Sequence, residues 1–383
     1  MRITFVTTQS TAGSTIIGRI FPLARSLSTT HDIHLLGLGK ADRIDPGLAW
    51  HTVGREPWRR SPHGKIRYRG VRLILNMMLT ACRIAYKLHQ LQPDTIIIVK
   101  PLPANVLGVK MYHIIHSHTP IILDTDDFEL LSNHLTSLMQ RASIHWSERT
   151  SVALARVTIA ATPFLVDHFC ALDPSNHSVV LIPTGYTPVR TTLPSPSTST
   201  PTLLYLGSIS LGSGHRVDLL PEILTLVKQQ EPDIRLIIAG TGDDVEELKA
   251  LFASANLLPI VEWFGRFTSD NVPTLIARAH VLVDPVGGSI TERAKSSFRV
   301  AAAAAYGIPI VTSNIGIRPY FLPPALAEQC FAEPNQAHDY ATKIVSLLRQ
   351  PLSAQQKQGL QQKSASYEWS VLAAQYNKYI TSP

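Results

Sequence analysis

The sequence predicts an α/β protein of two doubly wound, parallel-sheet domains, and three features carry that prediction. Short runs of about four to six residues recur, β-branched and apolar nearly throughout, as strands covered on both faces must be. Stretches with helical spacing of apolar residues lie between them, and strand alternating with helix is the pattern of a parallel sheet. Residues 183–202 break the series once, with a Pro, Ser and Thr composition that forms no packed element. The 383 residues suffice for two or three domains, and 45% hydrophobic against 16% charged residues excludes a disordered chain.

In chain order, the first domain (1–186) is read with strands at 3–7, 33–36, 95–99, 121–123, 157–161 and 179–182. Its first helix, over 18–27, sets Ile20, Leu23, Ala24 and Leu27 on one face. A linker at 187–202 leads to the second domain (203–365), with strands at 203–206, 234–239, 261–264, 281–283 and 308–311. Helices are expected at 219–227, at 245–252 behind an Asp243-Asp244 N-cap, at 273–279, and at 296–306 before Gly307 as a C-cap. The closing segment, 366–383, spaces Tyr367, Trp369, Leu372, Ala373, Tyr376 and Tyr379 as an amphipathic helix, whose bulky face needs a surface to cover.

Lys and Arg number 35 against 28 Asp and Glu, a formal charge of +7 that points to an anionic partner: a nucleotide, a membrane surface or a nucleic acid. No window offers the roughly 18 apolar residues of a transmembrane helix. The opening Met1-Arg-Ile-Thr-Phe-Val reads as a strand and not as a signal peptide. Cys82, Cys170 and Cys330, odd in number and far apart, argue against a disulfide framework or zinc cluster, and the expectation is a cytoplasmic protein. His113, His116 and His118 have no metal-ligand spacing, so local packing is expected there.

The second domain carries the most informative motifs. A strand ends at Gly240-Thr241-Gly242 and enters an acidic helix start; the glycines either serve the turn alone or free backbone N–H groups for an anion. In order, "LYLGS", "IRLIIAGTGDDVEELK", "VEWFGR", "VPTLIARAHVLVDP" and "FRVAAAAAYGIPIVTS" resemble the donor-binding half of family 4 retaining glycosyltransferases. The resemblance is specific over roughly 202–350 and looser before it. It implies the GT-B fold, two Rossmann-like domains facing each other across a cleft, with the Trp369 helix crossing back onto the first domain. It also implies transfer of a sugar from a nucleotide-sugar donor to a glycan, lipid-linked or small-molecule acceptor, with retention and with no metal or other cofactor. Gly13 and Arg19 sit where the family's substrate loop and helix sit, and Thr184-Gly185-Tyr186 resembles its "PNGV" segment with Thr in place of Asn.

A departing diphosphate needs cations and helix N-termini to meet its charge. The resemblance places an Arg and a Lys after the first strand of this domain. Here Ser208 stands for the Arg, and Arg216 in the next loop is the candidate cation, with a solvated loop arginine as the alternative. Gly240, Gly242, Gly265 and Arg266 fall at the implied donor site. Lys295 and Arg299, four apart and read as sharing a helix face, precede the "G-x-P" turn, and one of them is expected on phosphate. The family's glutamate pair is absent: Ala294 and Ala302 occupy its positions. That leaves Glu292 either to take over a donor-sugar contact or to make a surface ion pair. A sugar-nucleotide epimerase of the same fold and a degenerate, non-catalytic scaffold are the rival readings.

In the first domain a strand ends in Asp124-Thr125-Asp126-Asp127. Strand C-termini face the crevice of an open sheet, and carboxylates this close need a cation or hydrogen-bond donors. Asp126 takes the place of a family His as a catalytic candidate, and Asp124 and Asp127 are substrate-binding candidates; capping of the following helix is the alternative. A metal-binding GT-A enzyme ranks lower, because it would lack a second nucleotide-binding half. From Arg55 to Arg72 the chain carries Arg55, Arg59, Arg60, Lys65, Arg67, Arg69 and Arg72 against Glu56, interleaved with Trp58, Ile66 and Tyr68. That segment suits an anionic membrane surface or a polyprenyl-phosphate acceptor, or else a solvated loop; nucleic acid is set aside as a partner.

Overall fold

The computed structural model describes residues 1–40, 44, 47–61, 64–133, 135–172, 178–188, 200–211, 214–268 and 271–381. The chain divides into two compact units, Met1–Gly185 with Trp369–Pro383, and Tyr186–Glu368. Residues 189–199 of the expected linker lie outside the described ones.

The strands of the first unit are β1 (Arg2–Ser10), β2 (Asp32–Leu38), β3 (Ala49–Gly54), β4 (Trp58–Ser61), β5 (Gly64–Arg67), β6 (Thr95–Val99), β7 (Ile121–Thr125), β8 (Val157–Ala160) and β9 (Ser178–Leu181). Seven of them form one sheet in the order β3-β2-β1-β6-β7-β8-β9, parallel at every pairing. β6, β7 and β8 are buried along their whole length, which explains why they are apolar over most of their positions. β3 was not expected, because Ala49-Trp50-His51-Thr52 mixes polar residues into an edge strand. β4 and β5 pair as an antiparallel hairpin within the basic segment, where charge had masked the strand pattern.

The helix Trp369–Thr381 packs into this unit, setting Trp369, Leu372, Ala373, Tyr376 and Ile380 against a core that includes Ile3, Phe5, Ile20 and Leu23. Large apolar side chains buried this way contribute roughly 1.5–3 kcal/mol each. Arg156 donates to the carbonyls of Tyr379 and Ile380 in the helix's last turn, a cation where the helix dipole is negative.

The second unit has β10 (Thr202–Leu206), β11 (Arg235–Ala239), β12 (Val261–Gly265), β13 (Val281–Val283) and β14 (Ile310–Val311), parallel in the order β12-β11-β10-β13-β14. Both sheets are doubly wound. The strand order reverses between β1 and β6 in one and between β10 and β13 in the other, and such a reversal is where α/β sheets open a ligand crevice.

Two expectations for helices in the second unit are corrected. Lys295 and Arg299 do not share a helix: Ile290–Ala294 ends at Lys295, which is extended at φ −81 and ψ 133, and Arg299 belongs to the next helix, Phe298–Ala305. Asp244 is the N-cap of Val245–Ser254, but its carboxylate makes no cap bond and accepts instead from the Leu211 N–H at 2.7 Å. Gly307 follows Phe298–Ala305 with φ +67, the left-handed turn that a C-cap glycine supplies.

Candidate active site

At the switch point of the second unit, β10 runs out at Gly207 and β13 at Asp284. Asp284 is fully buried, and two guanidiniums converge on its carboxylate: Arg299 Nη1 donates to Oδ1 at 2.9 Å and Arg318 Nε to Oδ2 at 2.7 Å. Ser297 and Thr312 hydroxyls complete Oδ2 at 3.3 and 3.0 Å. Burial pushes this carboxyl up, but Arg318 and Arg299 outweigh it and hold it below the ordinary carboxylate range. One carboxylate cannot neutralise two guanidiniums, so the cluster keeps a positive excess.

The Arg299 guanidinium also lies over the Tyr205 ring, 4.5 Å from its centroid, and Arg299 Nη2 is 3.3 Å from His215 Nδ1. Burial, then the charges of Arg299, Lys295 and Arg318, push the His215 imidazole well below its usual range, so it is neutral near pH 7. Gly207 is required here, since it holds φ +145 and a Cβ on it would overlap Arg299. Gly242 is required by close approach, because a Cβ there would overlap the Ile209 carbonyl oxygen. The N–H of Gly240 donates to Gly265 O at 2.8 Å, so it is not free for an anion.

The other candidates in this unit divide. Ser208 is exposed while its carbonyl accepts from Tyr205 OH at 2.7 Å, and Arg266 is exposed just beyond β12. Arg216 makes a bidentate pair with Asp218, Nε to Oδ1 at 3.0 Å and Nη2 to Oδ2 at 2.7 Å, and donates to Asn335; it is half-buried, and Asp218 already balances its charge. Glu292 makes no surface ion pair. It is buried, with its carboxylate accepting from the N–H groups of Gly287 and Ser289, both at 2.8 Å, and it closes a capping box with Ser289 at the start of Ile290–Ala294.

At the switch point of the first unit, the carboxylates after β7 surround a residue the sequence reading overlooked. Lys100, directly after β6, places Nζ 3.2 Å from Asp126 Oδ1, 2.5 Å from Asp127 Oδ2 and 3.3 Å from Glu129 Oε1. This ammonium is the cation those carboxylates need. Burial opposes its charge, yet Asp126, Asp127 and Glu129 prevail and raise it well above the ordinary lysine range. Burial also raises the Glu129 carboxyl, against the pull of Lys100, to about 7. Capping is not the role of Asp126 or Asp127, for the helix Glu129–Ser132 has Phe128 at its N-cap and no side-chain cap bond.

Arg19 and Asp124 are corrected from substrate contacts to interior partners. Both are fully buried; Arg19 Nε donates to Asp124 Oδ1 at 2.8 Å and Nη2 to Oδ2 at 3.1 Å. Arg19 also reaches Ile182 O at 3.0 Å and Tyr376 OH at 2.7 Å, and Tyr376 OH donates to Asp124. The knot fastens the closing helix, through Tyr376, to the helical segment Ile16–Ile20 that carries Arg19 and to the end of β7. Gly13 lies in the loop after β1, its N–H donating to Ser10 O at 2.9 Å. Among the histidines, His116 stacks on Tyr112 with centroids 4.4 Å apart and contacts His89, which is packing.

Residues 200–350 match the family model described as glycosyl transferases group 1. The gpi3 subunit of phosphatidylinositol N-acetylglucosaminyltransferase from Schizosaccharomyces pombe is 28% identical over 156 residues, which are 40% of this chain and 32% of that protein. The matched stretch is thus about a third of that relative's length. Solved structures align over the whole chain. A sucrose-phosphate synthase from Thermosynechococcus elongatus superimposes with a TM-score of 0.72 at 17% identity, covering 99% of this chain and 98% of that one. Its fold is GT-B. HepE from Anabaena, in complex with UDP-glucose, gives a TM-score of 0.71 at 14% identity with complete coverage of both chains (100% each). The lipopolysaccharide outer core galactosyltransferase WaaB gives 0.69 at 15%, covering 99% of each chain. The GT-B fold and the group 1 match together support a glycosyltransferase.

Asp284, Lys100, Arg318, His215 and Tyr376 join the site residues that the sequence suggests. Asp284 had a usable signal, a carboxylate ending a parallel strand, the same one that singled out Asp124 to Asp127. Lys100 follows a strand in the same way. Arg318, His215 and Tyr376 carry no such mark, since only the folded chain brings them beside Asp284, Arg299 and Asp124.

Proposed function

We propose that this protein transfers a sugar from a nucleotide-sugar donor to a carbohydrate or lipid-linked acceptor, with retention of configuration and without a metal. The observation that carries the reading is the buried Asp284 cluster, with two guanidiniums on one carboxylate at the switch point of the unit that matches group 1 glycosyltransferases. Its positive excess suits a diphosphate, whose charge grows as the glycosidic bond breaks. Arg299 and Lys295 are assigned to that charge, Gly242 and Arg266 to the nucleotide, and the leaving phosphate to acceptance of the acceptor's proton. Asp126 and Asp127, with Lys100 between them, are assigned to the acceptor side. Glu292 supports the donor loop through its backbone hydrogen bonds. We place the protein in the cytoplasm, at the inner membrane surface, with the basic segment from Arg55 to Arg72 toward anionic lipid.

The test is a thermal-shift screen with UDP, GDP, ADP and their sugars, followed by turnover of the stabilising donor with and without EDTA and NMR of the product's anomeric configuration. Stabilisation by one nucleotide class is expected. Arg299→Ala should lower turnover by about a hundredfold or more, the loss seen when a charge-stabilising donor is removed. Unchanged turnover removes Arg299 from the reaction. An isomerised donor formed without acceptor identifies an epimerase instead, and no nucleotide binding at all leaves the degenerate scaffold that Ala294 and Ala302 bring to mind.

A further inference from the structure

The helix Gly70–Leu91 buries side chains fully in its second half only. Its buried residues are Thr80, Ala81, Ile84 and Leu88, on the side packed against the helix Pro103–Ile115. Between Gly70 and Leu79 no residue is buried. That half is nonetheless apolar: Val71, Ile74, Leu75, Met78 and Leu79 are exposed, Val71 at 71% and Leu75 at 57%. Together with the exposed Cys82 and Tyr86 they recur at i, i+3, i+4, i+7, i+8, i+11 and i+15, a single stripe along the helix. On the inner side of the same turns, Leu73, Asn76 and Met77 line a cavity of about 440 Å³ instead of a packed core, sharing it with Gln140 and Ser143. Beside them the helix Leu138–Leu154 opens with Leu138 and Met139, 84% and 63% exposed.

Charge selects the occupant of this face. From Pro57 to Pro93 the sequence has no Asp or Glu, but has Arg59, Arg60, Lys65, Arg67, Arg69, Arg72, Arg83 and Lys87. The β4–β5 hairpin leads straight into the helix, and the Arg72 guanidinium lies 4.1 Å from the Tyr68 ring centroid at the junction. A second copy of the same stripe would bring apolar surface but also the same positive charge. An anionic lipid leaflet brings acyl chains to the stripe and phosphates to the arginines. Among the described residues no helix is long and apolar enough to cross a membrane, so such a helix lies in the plane of the interface.

We propose that the helix Gly70–Leu91 lies along an anionic leaflet, with Val71, Ile74, Leu75, Met78 and Leu79 in the acyl boundary and Arg67, Arg69 and Arg72 on the phosphates. The inference rests on the surface-bound reading given under the proposed function, and not on sugar transfer. Flotation of the full chain with phosphatidylcholine vesicles, with and without phosphatidylglycerol, tests it. An environment-sensitive dye on Cys82, in a Cys170→Ser background, reports where the stripe goes. Binding to the anionic vesicles only, reversed by salt, with a blue shift of the dye on vesicle addition, is the expected result. Leu75→Ser with Met78→Ser should lower partitioning about tenfold or more. Arg69→Gln with Arg72→Gln should lower it by about tenfold or more on anionic vesicles. Equal partitioning on neutral vesicles, no flotation at low salt, or a dimeric protein whose dye is blue-shifted before lipid is added overturns the proposal. The nucleotide thermal shift is read in parallel and should be the same in all these variants. Its absence would defeat the donor reading while leaving the leaflet result intact.

Discussion

Asp284→Asn removes one negative charge from a buried spot where two guanidiniums already converge. The carboxylate accepts from Arg299 at 2.9 Å and from Arg318 at 2.7 Å, and hydrogen bonds between charged groups contribute roughly 1.5–3 kcal/mol each. Breaking a buried pair by removing one partner costs about 3–5 kcal/mol, so about 4 kcal/mol is expected here. For a domain of this size 1 kcal/mol moves Tm by about 2–4 °C, and the transition of the second unit should fall by about 10 °C. Differential scanning calorimetry, with and without pyrophosphate, measures it. The uncompensated guanidiniums should draw the anion more strongly, so pyrophosphate should recover more degrees in the variant than in the wild type. A fall of less than about 2 °C, or an equal pyrophosphate increment in both proteins, would refute the claim that this cluster holds a positive excess that seeks an anion.

Two further outcomes follow from the first unit. Arg19→Met should destabilise by about 3–5 kcal/mol in urea unfolding, because it strands a buried Asp124; adding Asp124→Asn should restore part of that, and strictly additive losses would show the pair to be uncoupled. Glu129 holds its proton to about pH 7 when folded, against an ordinary value of 4.5 in the unfolded chain. Its contribution to stability is therefore complete below pH about 4.5 and is lost as pH rises through 7, a fall of about 3 kcal/mol. Glu129→Gln should flatten that part of the stability profile, and an unchanged slope would mean that the carboxyl titrates normally.

Much of the architecture was legible from the chain because parallel strands buried on both faces must be apolar nearly throughout. Ile96 to Val99 and Leu203 to Leu206 declare themselves without any neighbour being known. Edge and surface strands obey no such rule, which is why Ala49–Gly54 and the basic hairpin were missed. The same difference runs through the candidate site. Asp126 and Asp127 could be found, since a carboxylate at a strand terminus is a local pattern. Their pairing with Lys100 could not, for Lys100 follows a different strand and meets them only through the sheet.

Order along the chain determined the alternation of strand and helix, the two-domain plan, the glycosyltransferase resemblance and the positive charge of the segment after Arg55. Tertiary structure alone decided which charges face each other. It took Arg19 and Asp124 into the interior, tied Arg216 to Asp218, separated Lys295 from the helix of Arg299, and set Arg318 beside Asp284. Periodicity is a property of neighbours in sequence and survives being read one residue at a time. Ion pairing depends on distances between segments that are far apart in the chain, and those distances exist only once the sheets have formed.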